Sequence, residues 1–79
     1  MLCAEVSIYP LKTGQSGAVI NQSIESLHNY GVDYHVGSMS THLEGDEEQI
    51  WESLKGMFRT ARAAGEVSMV VTITNAAAH

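Results

Sequence analysis

A single cysteine and only four basic residues stand in this chain of 79 residues, and each shortage removes a class of protein. Cys3 has no partner for an internal disulfide, so its thiol suits a reducing compartment or a buried position. Four Lys and Arg against nine Asp and Glu leave a formal charge of −5. An acidic surface repels phosphate backbones, so nucleic acid is not an expected partner, and a neutral or cationic ligand is easier to attract. No apolar run approaches the roughly 20 residues of a membrane span. The opening residues show no basic leader followed by an apolar core, so no secretory signal is expected and the cytoplasm is the expected compartment. HExxH, CxxC and paired-carboxylate signatures are missing. The stretch from Gly14 to Gly17 lacks the lysine of a phosphate-binding loop.

What remains is an ordinary globular composition, 44% hydrophobic with a mean hydropathy of −0.04. A chain this short buries roughly two-thirds of its unfolded surface, which leaves its core marginal unless something supplements it. Without a disulfide, self-association is the favoured supplement. No internal repeat or linker is visible, so residues 1–75 form one expected domain. The tail 76–79 is set aside as a frayed end or a cloning remnant.

Periodicity gives the order of elements. Leu2 to Tyr9 alternates Ala4, Val6 and Ile8 against Cys3, Glu5, Ser7 and Tyr9, a strand that Pro10 is expected to end. Helical spacing of Ile20, Ile24 and Leu27 predicts a helix from Ser16 to Tyr30, with Gly31 at its C′ position. Tyr34 and Val36 then alternate with His35. Gly37, Ser38 and Ser40 supply a hairpin connection, and Thr41, Leu43 and Gly45 alternate against His42 and Glu44. Asp46 with Gln49 reads as a capping box opening a second helix, whose apolar stripe is Ile50, Leu54, Met57, Phe58 and Ala61. Acidic Asp46, Glu47 and Glu48 at its start and Arg59 and Arg62 near its end suit the helix dipole. Gly65 ends that helix, and Glu66 to Thr74 is the last strand. Strand, helix, two strands, helix, strand is the split βαβ pattern of a ferredoxin-like α+β fold. A four-stranded antiparallel sheet should carry both helices on one face. Its other face, with Cys3, Glu5, Ser7, Tyr9, His42, Glu44, Val70, Thr72 and Thr74, is too mixed for a core. That face, or an edge strand, is where self-association or a ligand is expected.

The residues that carry a resemblance are the opening Ala4-Glu5-Val6-Ser7-Ile8-Tyr9-Pro10-Leu11 and, most specifically, Gly31-Val32-x-Tyr34-x-Val36-Gly37-x-Met39-x-Thr41-x-Leu43-Glu44-Gly45-Asp46. On these the chain resembles the small thiamine-binding proteins, relatives of the YkoF-type proteins that bind thiamine and hydroxymethylpyrimidine. It departs from that pattern at Ser38, where proline is expected, and at Ser40, where glycine is expected. The resemblance implies a ferredoxin-like protomer, assembly into dimers or tetramers, and binding of thiamine or its pyrimidine moiety; it does not imply catalysis, and neither an enzyme nor a cofactor is expected.

Thiamine asks for a carboxylate, hydroxyls or backbone groups around its aminopyrimidine, and for aromatic or acidic groups near its thiazolium cation. Glu44 is the expected carboxylate that orients the pyrimidine. Thr41 and Ser7 are the hydroxyl partners, and Tyr34 and Met39 pack on the ring. Each has a plainer reading: Glu44 as a solvated strand end, Thr41 as an ordinary strand residue, Ser7 as part of a subunit contact, Tyr34 and Met39 as core or interface. Trp51 lies off the helix stripe, at an edge or a subunit contact. Two other classes stay open. One is an oligomeric interaction module with no small ligand. The other is a metal-dependent enzyme using His42 and Glu44, which share a strand face that His35 could approach. No metal or catalytic residue is assigned beyond that alternative. Cys3 is not read as a nucleophile, because no base or helix N-terminus stands near it in the sequence.

Overall fold

A computed structural model describes residues 1–76. The elements are β1 (Leu2–Pro10), α1 (Ser16–Glu25) continued by a 3₁₀ turn (Ser26–Asn29), β2 (Asp33–Val36), β3 (Thr41–Gly45), α2 (Glu47–Arg62) and β4 (Val67–Thr74). All strand pairs are antiparallel and the sheet order is β2-β3-β1-β4. Each helix thus returns the chain across a strand pair, which is the ferredoxin-like α+β architecture expected from the pattern. Ala76 belongs to the expected tail, and the rest of that tail lies outside the described residues. No helix among them is long and apolar enough to cross a membrane.

Both helices pack on one sheet face. Ala4, Val6, Leu27, Val32, Leu43, Ile50, Leu54 and Met57 form the buried core between them. Strand alternation puts Cys3, Glu5, Ser7, Tyr9, His42 and Glu44 on the opposite face, as the sequence pattern predicts. Phe58 departs from the expected stripe. Four residues beyond Leu54, it is turned about 40° around the helix and stands 38% exposed, on the rim beside Trp51 at 48%.

Pro10 ends β1 as expected, and it does so inside the ladder, as the last β1 residue, paired with Val67. Leu11 N–H donates to Glu66 C=O at 2.9 Å. By the antiparallel alternation, odd-numbered residues of β1 therefore bond to β4, and even-numbered ones turn their N–H and C=O toward β3. Proline's missing donor falls where no β4 bond is lost. The first helix is also shorter than expected. Ser23 Oγ donates to Val19 C=O (3.0 Å) and Ser26 Oγ to Ser23 C=O (2.6 Å). These hydroxyls compete for ladder carbonyls as the α-helix tightens into its 3₁₀ turn.

The joint into α2 is built as the sequence indicates. Gln49 N–H donates to Asp46 Oδ1 (2.8 Å), Asp46 N–H to Gln49 Oε1 (3.1 Å), and Gln49 Nε2 to Gly31 C=O (3.3 Å). Gly31, at φ 67°, takes the left-handed conformation that closes the first helical unit. One glycine carries a constraint that periodicity does not reveal. A Cβ on Gly56, buried in the middle of α2, would fall on the ring and hydroxyl of Tyr30. Gly56→Ala should therefore lower stability by about 1–3 kcal/mol through overpacking, although alanine at an open helical position gains about 1 kcal/mol over glycine. Urea denaturation of the variant gives the sign, and a stabilised Gly56→Ala protein would mean that the Tyr30 ring swings aside easily here.

Candidate functional site

The β2–β3 hairpin is closed by Val36 opposite Thr41 and by Gly37 N–H donating to Ser40 C=O at 2.8 Å. A Cβ on Gly37 would meet that carbonyl at 3.1 Å, so a small residue is favoured there. The hairpin is shorter than β1. Pairing between β1 and β3 stops at Val6 opposite Thr41, while β1 continues to Pro10 alongside β4 alone. A cavity of about 140 Å³ occupies the space left at this end of the sheet, lined by Ser7 and Ile8, by Ile20 and Ile24 of α1, and by Met39 and Thr41. By the alternation above, Ile8 directs its N–H and C=O to this side, past the last β3 residue. The site therefore offers an adjacent peptide donor and acceptor beside two aliphatic side chains. Ser7 Oγ donates to Met39 C=O at 3.2 Å and Ser40 Oγ to Glu5 Oε2 at 3.4 Å, which ties the loop to β1.

Of the residues expected from the sequence, Ser7, Met39 and Thr41 come together around this cavity. Ser7 spends its hydroxyl proton on the loop, Thr41 is buried at 5% exposure, and Met39 stands at the mouth, 86% exposed. Tyr34 and Glu44 lie elsewhere. Tyr34 faces the helices, its hydroxyl 3.1 Å from His28 Nε2 with the two rings edge-on at 5.7 Å, and fastens the 3₁₀ turn to β2. Glu44 sits on the open face toward the other end of β1. Ile8, Ile20 and Ile24 were not indicated as site residues, because apolar alternation and helical spacing mark them only as core.

The open face holds a second group. Cys3 lies directly across from Glu44 and Glu5 across from His42, while His35 of β2 lies opposite His42 on its other side. Cys3 Sγ stands 3.8 Å from Glu44 Oε2, and one ligating atom each from Cys3, His42 and Glu44 lies within 4.8 Å of the other two. Cys3 is buried, and its thiol is pushed above its ordinary pKa first by burial and then by the neighbouring Glu44 carboxylate. A shallow cavity of about 110 Å³ opens over Cys3, Glu5, His42, Thr72 and Thr74.

Fold and cavities together define a ferredoxin-like α+β domain with helices on one sheet face, a small cavity at the hairpin end and a polar open face. The chain belongs to the thiamine-binding protein family, whose profile matches residues 4–77. Among solved structures it is similar to a Streptococcus pneumoniae protein, with 28% identity and a TM-score of 0.85 over 92% of this chain and 83% of the other. A domain of unknown function from Bacillus cereus shares 30% identity at a TM-score of 0.81, covering 92% and 73%. A candidate thiamine biosynthesis/salvage protein from Thermotoga maritima shares 24% identity at 0.79, covering 91% and 80%, a likeness of fold. Comparison with curated proteins returns no match.

Proposed function

We propose that the chain binds thiamine or its hydroxymethylpyrimidine moiety, as a binding protein and not an enzyme, with the pyrimidine in the hairpin-end cavity. The carrying observation is the run of β1 past Thr41 that has no partner on its β3 side, where the strand alternation turns the Ile8 peptide donor and acceptor toward that cavity. An aminopyrimidine edge presents an amine donor beside a ring-nitrogen acceptor, which complements such a pair. Ile20 and Ile24 supply apolar walls, Thr41 a further polar group, and Met39 a polarizable side chain that folds over the ring. A volume of about 140 Å³ is below the roughly 300–1,000 Å³ of sites for drug-sized ligands. That suits one heteroaromatic ring and leaves the thiazolium of whole thiamine at the mouth. Family membership supports the same ligand class.

Self-association is part of this reading. β4 is an eight-residue edge strand, and beside it Trp51, Phe58, Met69, Val71 and Ile73 border an apolar groove of about 380 Å³. A second copy pairing along β4 would continue the sheet and cover the groove. Sedimentation should give at least twice the 8.5 kDa of one chain, and a monomer at all concentrations would remove assembly from the proposal.

The binding test is thermal unfolding with and without ligand. A ligand specific to the folded state, present at 100 times its Kd, adds about 2.7 kcal/mol, or roughly 10–20 °C in Tm for a domain of this size. Thiamine and hydroxymethylpyrimidine should both raise Tm. No shift with either at millimolar concentration would overturn the proposal.

A further inference from the structure

We propose that Cys3, His42 and Glu44 form a binding site for a borderline-soft divalent metal ion, zinc in particular, with a fourth position left to water or an exogenous ligand. The backbone makes the arrangement. Glu44 and His42 are two apart on β3 and so project from one face, and the β1–β3 register sets Cys3 directly across from Glu44. Thiolate, imidazole and carboxylate are a mixed set that suits zinc, whereas magnesium and calcium prefer oxygen alone.

The distances are near those a metal requires. Zinc bonds of about 2.3 Å to sulfur and about 2.1 Å to oxygen, at a tetrahedral angle, separate the two ligand atoms by about 3.6 Å. Cys3 Sγ and Glu44 Oε2 are 3.8 Å apart without any change. The remaining pairs, within 4.8 Å, must close by about 1 Å. Rotation of the half-buried His42 and Glu44 side chains supplies that, with the backbone fixed by pairing on both sides of β3. The electrostatics agree with the geometry. Glu44 faces a buried thiol whose ionised form it would repel, and a dication between them neutralises both. Glu5 and His35, each opposite His42, and Asp33, opposite Glu44, are the polar groups next outward. Glu5 and Asp33 add negative charge, and Glu5 and His35 flank the imidazole where an outer hydrogen-bond partner is needed.

The site is separate from the pyrimidine cavity. Cys3 and Ser7 are four residues apart along β1, or roughly 13 Å at 3.3 Å per residue, and Glu44 and His42 do not border the cavity at the hairpin end. Failure of one assignment leaves the other standing.

Cobalt(II) is the direct probe, titrated into the reduced, chelator-treated full chain. The expected result is one cobalt per chain, a near-ultraviolet thiolate-to-cobalt charge-transfer band, visible bands of a four-coordinate ion, and displacement of all of them by Zn²⁺. Cys3→Ser should abolish the charge-transfer band. His42→Gln and Glu44→Gln, both on the open face, should retain the cooperative unfolding transition and weaken cobalt binding at least tenfold, while His28→Gln leaves it unchanged. Absence of the charge-transfer band at millimolar cobalt overturns the site. So does a band that survives unchanged in both His42→Gln and Glu44→Gln, which would mean that the thiol binds alone.

Discussion

Leu43→Ala should remove about 2–5 kcal/mol of stability and lower Tm by roughly 10 °C or more. Leu43 is fully buried at the middle of β3. Its neighbour across β1 is Ala4 and across β2 is Tyr34, so on one side only a methyl group borders the vacated space. Ile50 and Met57 of α2 and Leu27 of the 3₁₀ turn belong to the same core cluster. They are held on elements fixed by the capping box and the Gly31 joint, which limits collapse into a cavity. A domain of this length has only about 4–12 kcal/mol in hand, so a single truncation here consumes a large share. Val70→Ala, on the open face of β4 at 57% exposure, should cost less than about 0.5 kcal/mol. Urea midpoints of the two variants, measured together, check the contrast. A Leu43→Ala protein within 1 kcal/mol of the parent would show that the core does not close on this residue.

The fold was legible because its cues are local and agree with one another. Period-two alternation in β1 and β3, helical spacing in α2 and the Asp46–Gln49 pair all name the same architecture. Errors arose where a neighbour decides. The helix expected from Ser16 to Tyr30 gives way to a 3₁₀ turn at Ser26, where the Ser23 and Ser26 hydroxyls bond to helix carbonyls. The packing of Tyr30 against Gly56 has no cue in the pattern at all.

The candidate sites were legible by residue type and not by partnership. A carboxylate on a strand face fits a pyrimidine amine or a metal equally well, and only the register shows that Glu44 faces Cys3. Ile8 could not be read as a site residue at all, because its contribution is a peptide group. That contribution exists only because β3 stops two residues short of it. Side-chain chemistry is written in a sequence, whereas a strand edge is set by how far the neighbouring strand extends.

Ile20→Trp should abolish the thermal shift given by hydroxymethylpyrimidine while leaving the ligand-free Tm within a few degrees of the parent. Ile20 is half-buried and borders the hairpin-end cavity from α1. An indole in its place fills much of a space of about 140 Å³ and reaches it from a helix surface, with no strand pairing to disturb. The lost quantity is the whole ligand-dependent stabilisation, about 2.7 kcal/mol at 100 times the parental Kd. Glu44→Gln supplies the opposite case, because it alters the open face and leaves the cavity intact. Its pyrimidine shift should equal that of the parent while its cobalt affinity falls. If Glu44→Gln instead removes the pyrimidine shift and Ile20→Trp does not, the ring binds against the open sheet face, in the role first expected of that carboxylate, and the hairpin-end assignment fails.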